Sequence, residues 1–193
     1  MKNLTKKTMD LIEIEKELFA EFKSRVGKGF VDSEYIQRAI GEYSKCIHSN
    51  TSNKGIMLSG RTGTGKTILL KSFVKIWDKY NSIKMENIKS SNLQFCTTKT
   101  EGYSNNLDFR MPFLSLDDFG SEPEEIKHYG QTITPFIDII QYRYDMKDKR
   151  KLLFSTTNLT PKMISERYGD RTFSRLKGDN LILKLDGEDN RKK

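Results

Sequence analysis

Residues 60–67 read GRTGTGKT and match G-x-x-x-x-G-K-[ST] at each fixed position. Glycines at 60, 63 and 65 let a backbone bend tightly and approach a ligand closely. Successive N–H groups of such a loop, followed by a helix start, form a nest for phosphate oxygens. Lys66 adds a mobile point charge for β- and γ-phosphates, and the Thr67 hydroxyl is a hard ligand suited to Mg²⁺. The cradle Gly60, Arg61, Thr62, Gly63, Thr64, Gly65, Lys66 and Thr67 therefore reads as a nucleoside triphosphate site.

Hydrolysis also needs a metal-side acid and a group that orients water. The run PFLSLDDFG ends an apolar stretch in Asp117 and Asp118, and α/β sheets place ligands at strand ends. Asp117 is expected to hold Mg²⁺ and Asp118 to polarise the attacking water, although Asp is one methylene shorter than the Glu many such sites use. STTN, residues 155–158, ends another apolar run; Asn158 is the first choice for a contact to the γ-phosphate or water, with Thr157 second. Arg171 and Arg175 are four apart, on one helical face, where a guanidinium could reach a neighbouring subunit's γ-phosphate or pair with Glu166 or Asp170.

These groups must be held by regular elements. GIMLS (55–59), LQFCTT (93–98), PFLSLDD (112–118), KLLFSTTN (151–158) and LILKL (181–185) predict strands. Helices are expected over 66–80, 134–144, from a Thr160 cap to 168, and at 171–176, while 100–110 reads as a weakly structured connection. Strands alternating with helices predict a five-stranded parallel α/β sheet covered on both faces. Upstream, Leu11, Ile14, Leu18, Phe22 and Val26 form an apolar stripe on a helix over 5–26, stopped at Gly27 and Gly29. A second helix capped by Asp32 or Ser33 runs to about 47.

Composition narrows the classes. The chain has 193 residues with 34 Lys and Arg against 26 Asp and Glu, a formal charge of +8, which suits a polyanionic partner without requiring one. No apolar run reaches membrane-span length and no signal peptide is legible, so a cytoplasmic protein is expected. Cys46 and Cys96 form no CxxC, and His48 and His128 stand apart, so neither a disulfide framework nor a zinc site is read.

Four blocks in order, LSGRTGTGKT, FLSLDDFGSE, LLFSTTNLTP and ERYGDRTFSRL, resemble the AAA+ ATPases of bacterial helicase loaders, the DnaC/DnaI family, and the related IstB-type transposition helpers. The resemblance spans residues 30–186. It implies a P-loop NTPase core that binds ATP and Mg²⁺, with residues 60–67 as Walker A and Asp117 and Asp118 as Walker B. It further implies Asn158 as sensor, Arg175 as arginine finger and Arg171 as a second intersubunit candidate. Residues 1–29 become a helical extension and 187–193 a tail, with no room for a substantial lid. The expected role is an ATPase that self-assembles on single-stranded DNA and helps load a replicative DNA helicase. An IstB-like helper on duplex DNA and an ATP-binding adaptor with little turnover are the alternatives, and Phe30 and Val31 are candidates for the adenine pocket. The short, apolar-poor stretch between the second and third strands leaves the family's DNA contacts without an obvious counterpart.

Overall fold

The apolar runs at 55–59, 113–119 and 152–157 become strands buried on both sides, which is what a parallel sheet between two helical layers requires. The computed structural model describes residues 10–49, 54–95, 112–128, 131–146 and 151–187. Strands β1 (Gly55–Ser59), β2 (Glu86–Lys89), β3 (Phe113–Phe119), β6 (Leu152–Thr157) and β7 (Asn180–Lys184) form one sheet in the order β2-β3-β6-β1-β7. Every pairing in it is parallel, so the expected five-stranded parallel fold is observed. A separate antiparallel hairpin, β4 (Ile126–His128) and β5 (Gln131–Ile133), was not expected from the sequence.

One strand differs from expectation. LQFCTT was read as the second strand, but that position in the sheet is taken by ENIK, and Ser90–Phe95 form a 3-10 turn. Of ENIK only Ile88 is buried, because β2 lies at the sheet edge and leaves its polar residues in solvent. Leu93 is buried too, but from the turn rather than from a strand. Residues 96–98 and the whole 100–110 connection lie outside the described residues, as do 5–9 and the tail beyond 187.

The two faces of the sheet carry two cores. On one face, α1 (Leu11–Val26), α2 (Glu34–Ser49) and α3 (Lys66–Tyr80) cover Ile56, Leu58, Phe113 and Phe154. Phe73 is its hub, stacked on Tyr43 with centroids 4.1 Å apart and tilted on Phe154 at 4.6 Å. On the other face, α4 (Pro135–Asp145), α5 (Pro161–Tyr168) and α6 (Asp170–Asp179) cover Met57, Leu114, Leu116 and Leu153. Arg143 of α4 donates to the carbonyls of Pro112 and Leu152, tying together the starts of β3 and β6. Burial lowers its pKa to about 10, so it stays charged at neutral pH.

Caps set the helix ends as the sequence indicates. Ser33 Oγ accepts from the Ile36 amide at 3.3 Å, and Thr160 Oγ1 from the Met163 amide at 3.3 Å. α1 buries Ile14, Leu18 and Phe22 and is strapped to α3 by charge. Lys79 Nζ and the Tyr80 hydroxyl donate to Glu17 at 2.7 and 2.6 Å, and Lys75 Nζ to Glu21 at 2.7 Å.

These bonds hold both carboxyls below their ordinary value of 4.5, with Lys79 the main cause at Glu17 and Lys75 at Glu21. A carboxyl depressed in the folded state stabilises above its unfolded pKa, and that contribution is lost as pH falls through the folded one. The melting temperature is therefore expected to fall more steeply below about pH 4.5 in the native chain than in a Glu17→Gln/Glu21→Gln variant. Parallel curves from differential scanning fluorimetry would refute the strap.

Candidate functional site

β1 delivers the chain into the glycine loop, and α3 carries it away. Gly60 lies so near the end of the sheet that a Cβ there would sit 2.2 Å from the Leu185 carbonyl oxygen. Gly65, the residue before α3, has φ +89°, a left-handed conformation that side chains other than glycine's rarely accept. The Thr64 hydroxyl donates to the Arg61 carbonyl at 3.0 Å and closes the loop on itself. Lys66 is only 6% exposed, so its ammonium must be satisfied from within. It donates to the carbonyls of Gly60 and Arg61 at 2.8 and 2.7 Å and to Asn158 Oδ1 at 2.8 Å. Phosphate oxygens entering the loop would replace those carbonyls as acceptors.

The acids owe their placement to an irregularity in β3. Its register against β6 shifts between Leu116 and Phe119, so one extra residue is inserted. In an unbroken strand, successive side chains at 117 and 118 would point to opposite faces. Instead Asp118 has φ +60°, the one non-glycine residue with positive φ among those described, and both carboxylates join the same network. Thr67 Oγ1 donates to Asp117 Oδ1 at 2.9 Å, and Thr156 Oγ1 donates to the same oxygen at 2.7 Å. The Asp118 amide donates to Thr156 Oγ1 at 2.8 Å. Asn158 Nδ2 donates to Asp118 Oδ1 at 2.7 Å while its Oδ1 accepts from Lys66, the only amide orientation that suits both neighbours.

Thr156 is the residue that sequence reasoning missed. Thr157, the second choice there, donates to the Phe119 carbonyl at 2.8 Å and accepts from the Leu159 amide, so it clips the strand end and stays out of the site. Strand alternation held the signal: Phe154 faces the α3 side, so Thr156 must face it as well. Just beyond the acids, buried Glu122 accepts from the Gly120 amide at 2.8 Å and from the Ser90 and Tyr168 hydroxyls. Burial first, and then this bond, push the Tyr168 phenol well above its ordinary range. The turn after β3 is thereby fixed to the end of α5.

A cavity of about 710 Å³ opens on these groups. Residues 62–67, Asp118, Thr156 and Asn158 line its polar end. Phe22, Val26, Phe30, Val31, Ile36 and Ile68 line the other. The hydroxyl of Thr67 and the carboxylate of Asp117 are hard oxygen donors on one spot, a donor pair that fits Mg²⁺. The arginines lie elsewhere. Arg175 donates to Gln141 and lies 4.3 Å from the Tyr144 ring centroid, against α4, and Arg171 is exposed in the first turn of α6. Neither lines this chain's own cavity.

No protein-family model matches the sequence, and no curated protein matches it. Solved structures do. The DnaC helicase loader superposes with a TM-score of 0.63 at 22% identity, covering 82% of this chain and 95% of the solved DnaC chain. DnaI gives 0.65 at 20% identity, covering 86% and 89%. The chain has the AAA+ fold of helicase loaders. The same AAA+ fold is shared with AMPPCP-bound DnaA from Aquifex aeolicus, at TM-score 0.58 and 20% identity. That match covers 83% of this chain and 50% of the solved DnaA chain. Among the described residues, no helix is long and apolar enough to cross a membrane.

Proposed function

We propose that this protein is a Mg²⁺-dependent ATPase that assembles on single-stranded DNA and helps load a replicative helicase. The reading rests on one observation above all: Lys66, Thr67, Asp118 and Asn158 line the polar end of an otherwise apolar cavity, and Thr156 joins them by hydrogen bonds with Asp118 and with Asp117, which sits against Thr67. The apolar end suits adenine, because among the described residues no acidic or amide side chain lines it to accept from guanine's N1–H and amino group. A DnaA of the same fold holds AMPPCP, and another DnaA structure holds both AMPPCP and single-stranded DNA.

In this reading residues 60–65 present amides to the triphosphate, and Lys66 turns from the loop carbonyls to the β- and γ-phosphates. Thr67 and Asp117 hold Mg²⁺, which when bound offsets phosphate charge. Asp118 accepts a hydrogen bond from the attacking water and Asn158 fixes that water against the γ-phosphate. Water oxygen bonds to the γ-phosphorus, the bond from γ-phosphorus to the bridging oxygen breaks with its electron pair leaving on ADP, and the water's proton passes by way of Asp118 to solvent or the released phosphate. Arg175, with Arg171 as the second candidate, would complete the site of a neighbouring copy, which accords with neither arginine lining its own cavity. Residues 30–186 form the ATPase core in this scheme and 1–29 an extension.

The test is phosphate release by the full chain with Mg²⁺, with and without single-stranded DNA. Turnover that rises with DNA and vanishes on adding EDTA is expected. Tight ATP binding without release in any condition would replace the ATPase with an adaptor, and stimulation by duplex DNA alone would favour the transposition-helper reading.

A further inference from the structure

The N-terminal helix α1 reaches the nucleotide cavity itself. Phe22 and Val26 stand in its wall beside Phe30 and Val31, which follow α1 after the short turn Gly27–Gly29. Phe22 packs edge-on against Phe30, with centroids 5.9 Å apart, and Phe19 supports Phe30 from behind at 5.4 Å. The Phe22 ring also abuts the glycine loop: a Cβ on Gly65 would lie 3.4 Å from its tip. One aromatic ring thus touches both the phosphate loop and the apolar end of the cavity.

The same helix is fastened to α3, whose first residue is Lys66. Glu17 and Glu21 reach Lys79, Tyr80 and Lys75 on its outer turns. The straps are exposed ion pairs, each contributing little. α1 is therefore held along its length by Ile14 and Leu18 in the core, with these straps beside them, and at its near end by the wall it builds.

We infer that α1 is a working part of the nucleotide site, with Phe22 and Val26 holding the base side, so that base occupancy and α1 docking stabilise each other. The inference rests on the proposed nucleotide site and deepens it. A base seated against Phe22, Val26, Phe30 and Val31 buries apolar area only when α1 is docked, so it binds the docked state better. Linkage makes the effect reciprocal: whatever draws α1 away weakens base binding by the same factor. Inorganic tripolyphosphate, which has the phosphates and no base, engages the loop without this coupling.

Hydrogen exchange on the native full chain with Mg²⁺ reads the coupling without any variant. ATP is expected to slow exchange of α1 amides about fivefold or more beyond the effect of saturating tripolyphosphate, since exchange follows local opening. Equal protection by the two ligands would overturn the inference. A second arm uses Val26→Trp, in which a half-buried wall residue becomes a plug on the base side. ATP affinity by calorimetry is expected to fall at least about tenfold while tripolyphosphate affinity stays within about twofold, because only the base competes with the indole. Unchanged ATP affinity, or equal loss of both ligands, counts against it. If the native chain binds neither ATP nor tripolyphosphate, the nucleotide reading itself has failed; if it binds both and α1 responds alike, only the coupling has.

Discussion

Lys66→Ala is expected to lower kcat/KM for ATP hydrolysis by at least about 10³-fold, leaving phosphate release near the rate without enzyme. Removing a single neutral donor from a site of developing charge costs roughly 10²–10³ in rate, and in the proposed function Lys66 would bring a full positive charge to the phosphates. The fold should survive. The ammonium contacts the loop carbonyls of Gly60 and Arg61 and the side chain of Asn158, and Lys66 and Asn158 line the cavity, from which water can take its place. A melting temperature within a few degrees of the native chain's, corresponding to about 1 kcal/mol or less, is expected alongside the lost activity. A variant that turned over ATP at the native rate would end the ATPase reading. One that unfolded would show that Lys66 serves the loop's own structure first.

The glycine loop was legible because its chemistry dictates residue type. A backbone that turns through φ +89° at Gly65 and passes against the Leu185 carbonyl at Gly60 tolerates few side chains, and the fixed spacing of glycines, lysine and threonine marks such a loop between strand and helix. The buried strands were legible for a related reason: β1, β3, β6 and β7 sit inside the sheet or against α2, so their apolar content is enforced. β2 was not, because an edge strand with one buried residue carries no such pressure, and its backbone pairing with β3 is invisible in residue types. The β4–β5 pairing is likewise a backbone event that residue types do not mark.

The site itself was half legible. Asp117 and Asp118 could be placed at a strand end, but not on the same side, since alternation alone would separate them. The bulge that unites them is a backbone event, and nothing in LSLDDFG marks it except an aspartate, one of the few residue types that enter the left-handed region at modest cost. Thr156 shows the reverse case. Counting parity from Phe154 would have found it, whereas ranking polar residues by closeness to the strand end selected Thr157. The path of α1 into the cavity wall was beyond sequence reasoning altogether. Its apolar stripe predicts a buried face and does not say which neighbour that face meets.

The strained acid gives the second large effect. Asp118→Asn is expected to cut turnover by about 10²–10³-fold while ATP affinity stays within a few-fold of native. Those magnitudes follow if Asp118 has its proposed role, a charged acceptor for the attacking water rather than a contact to bound nucleotide. Asparagine tolerates φ +60° about as well as aspartate, and its Oδ1 can still accept from Asn158 Nδ2, so the turn should hold. Asp118→Val makes the structural control. A β-branched residue forced into that conformation costs roughly 1–3 kcal/mol, so it should lose stability and turnover together, whereas Asn loses turnover alone. Phosphate release, calorimetry and thermal melts on the pair separate the roles. Should Asp118→Asn hydrolyse ATP as fast as the native chain, the carboxylate is not acting on water, and the left-handed turn at the end of β3 exists only to bring Asp117 against Thr67.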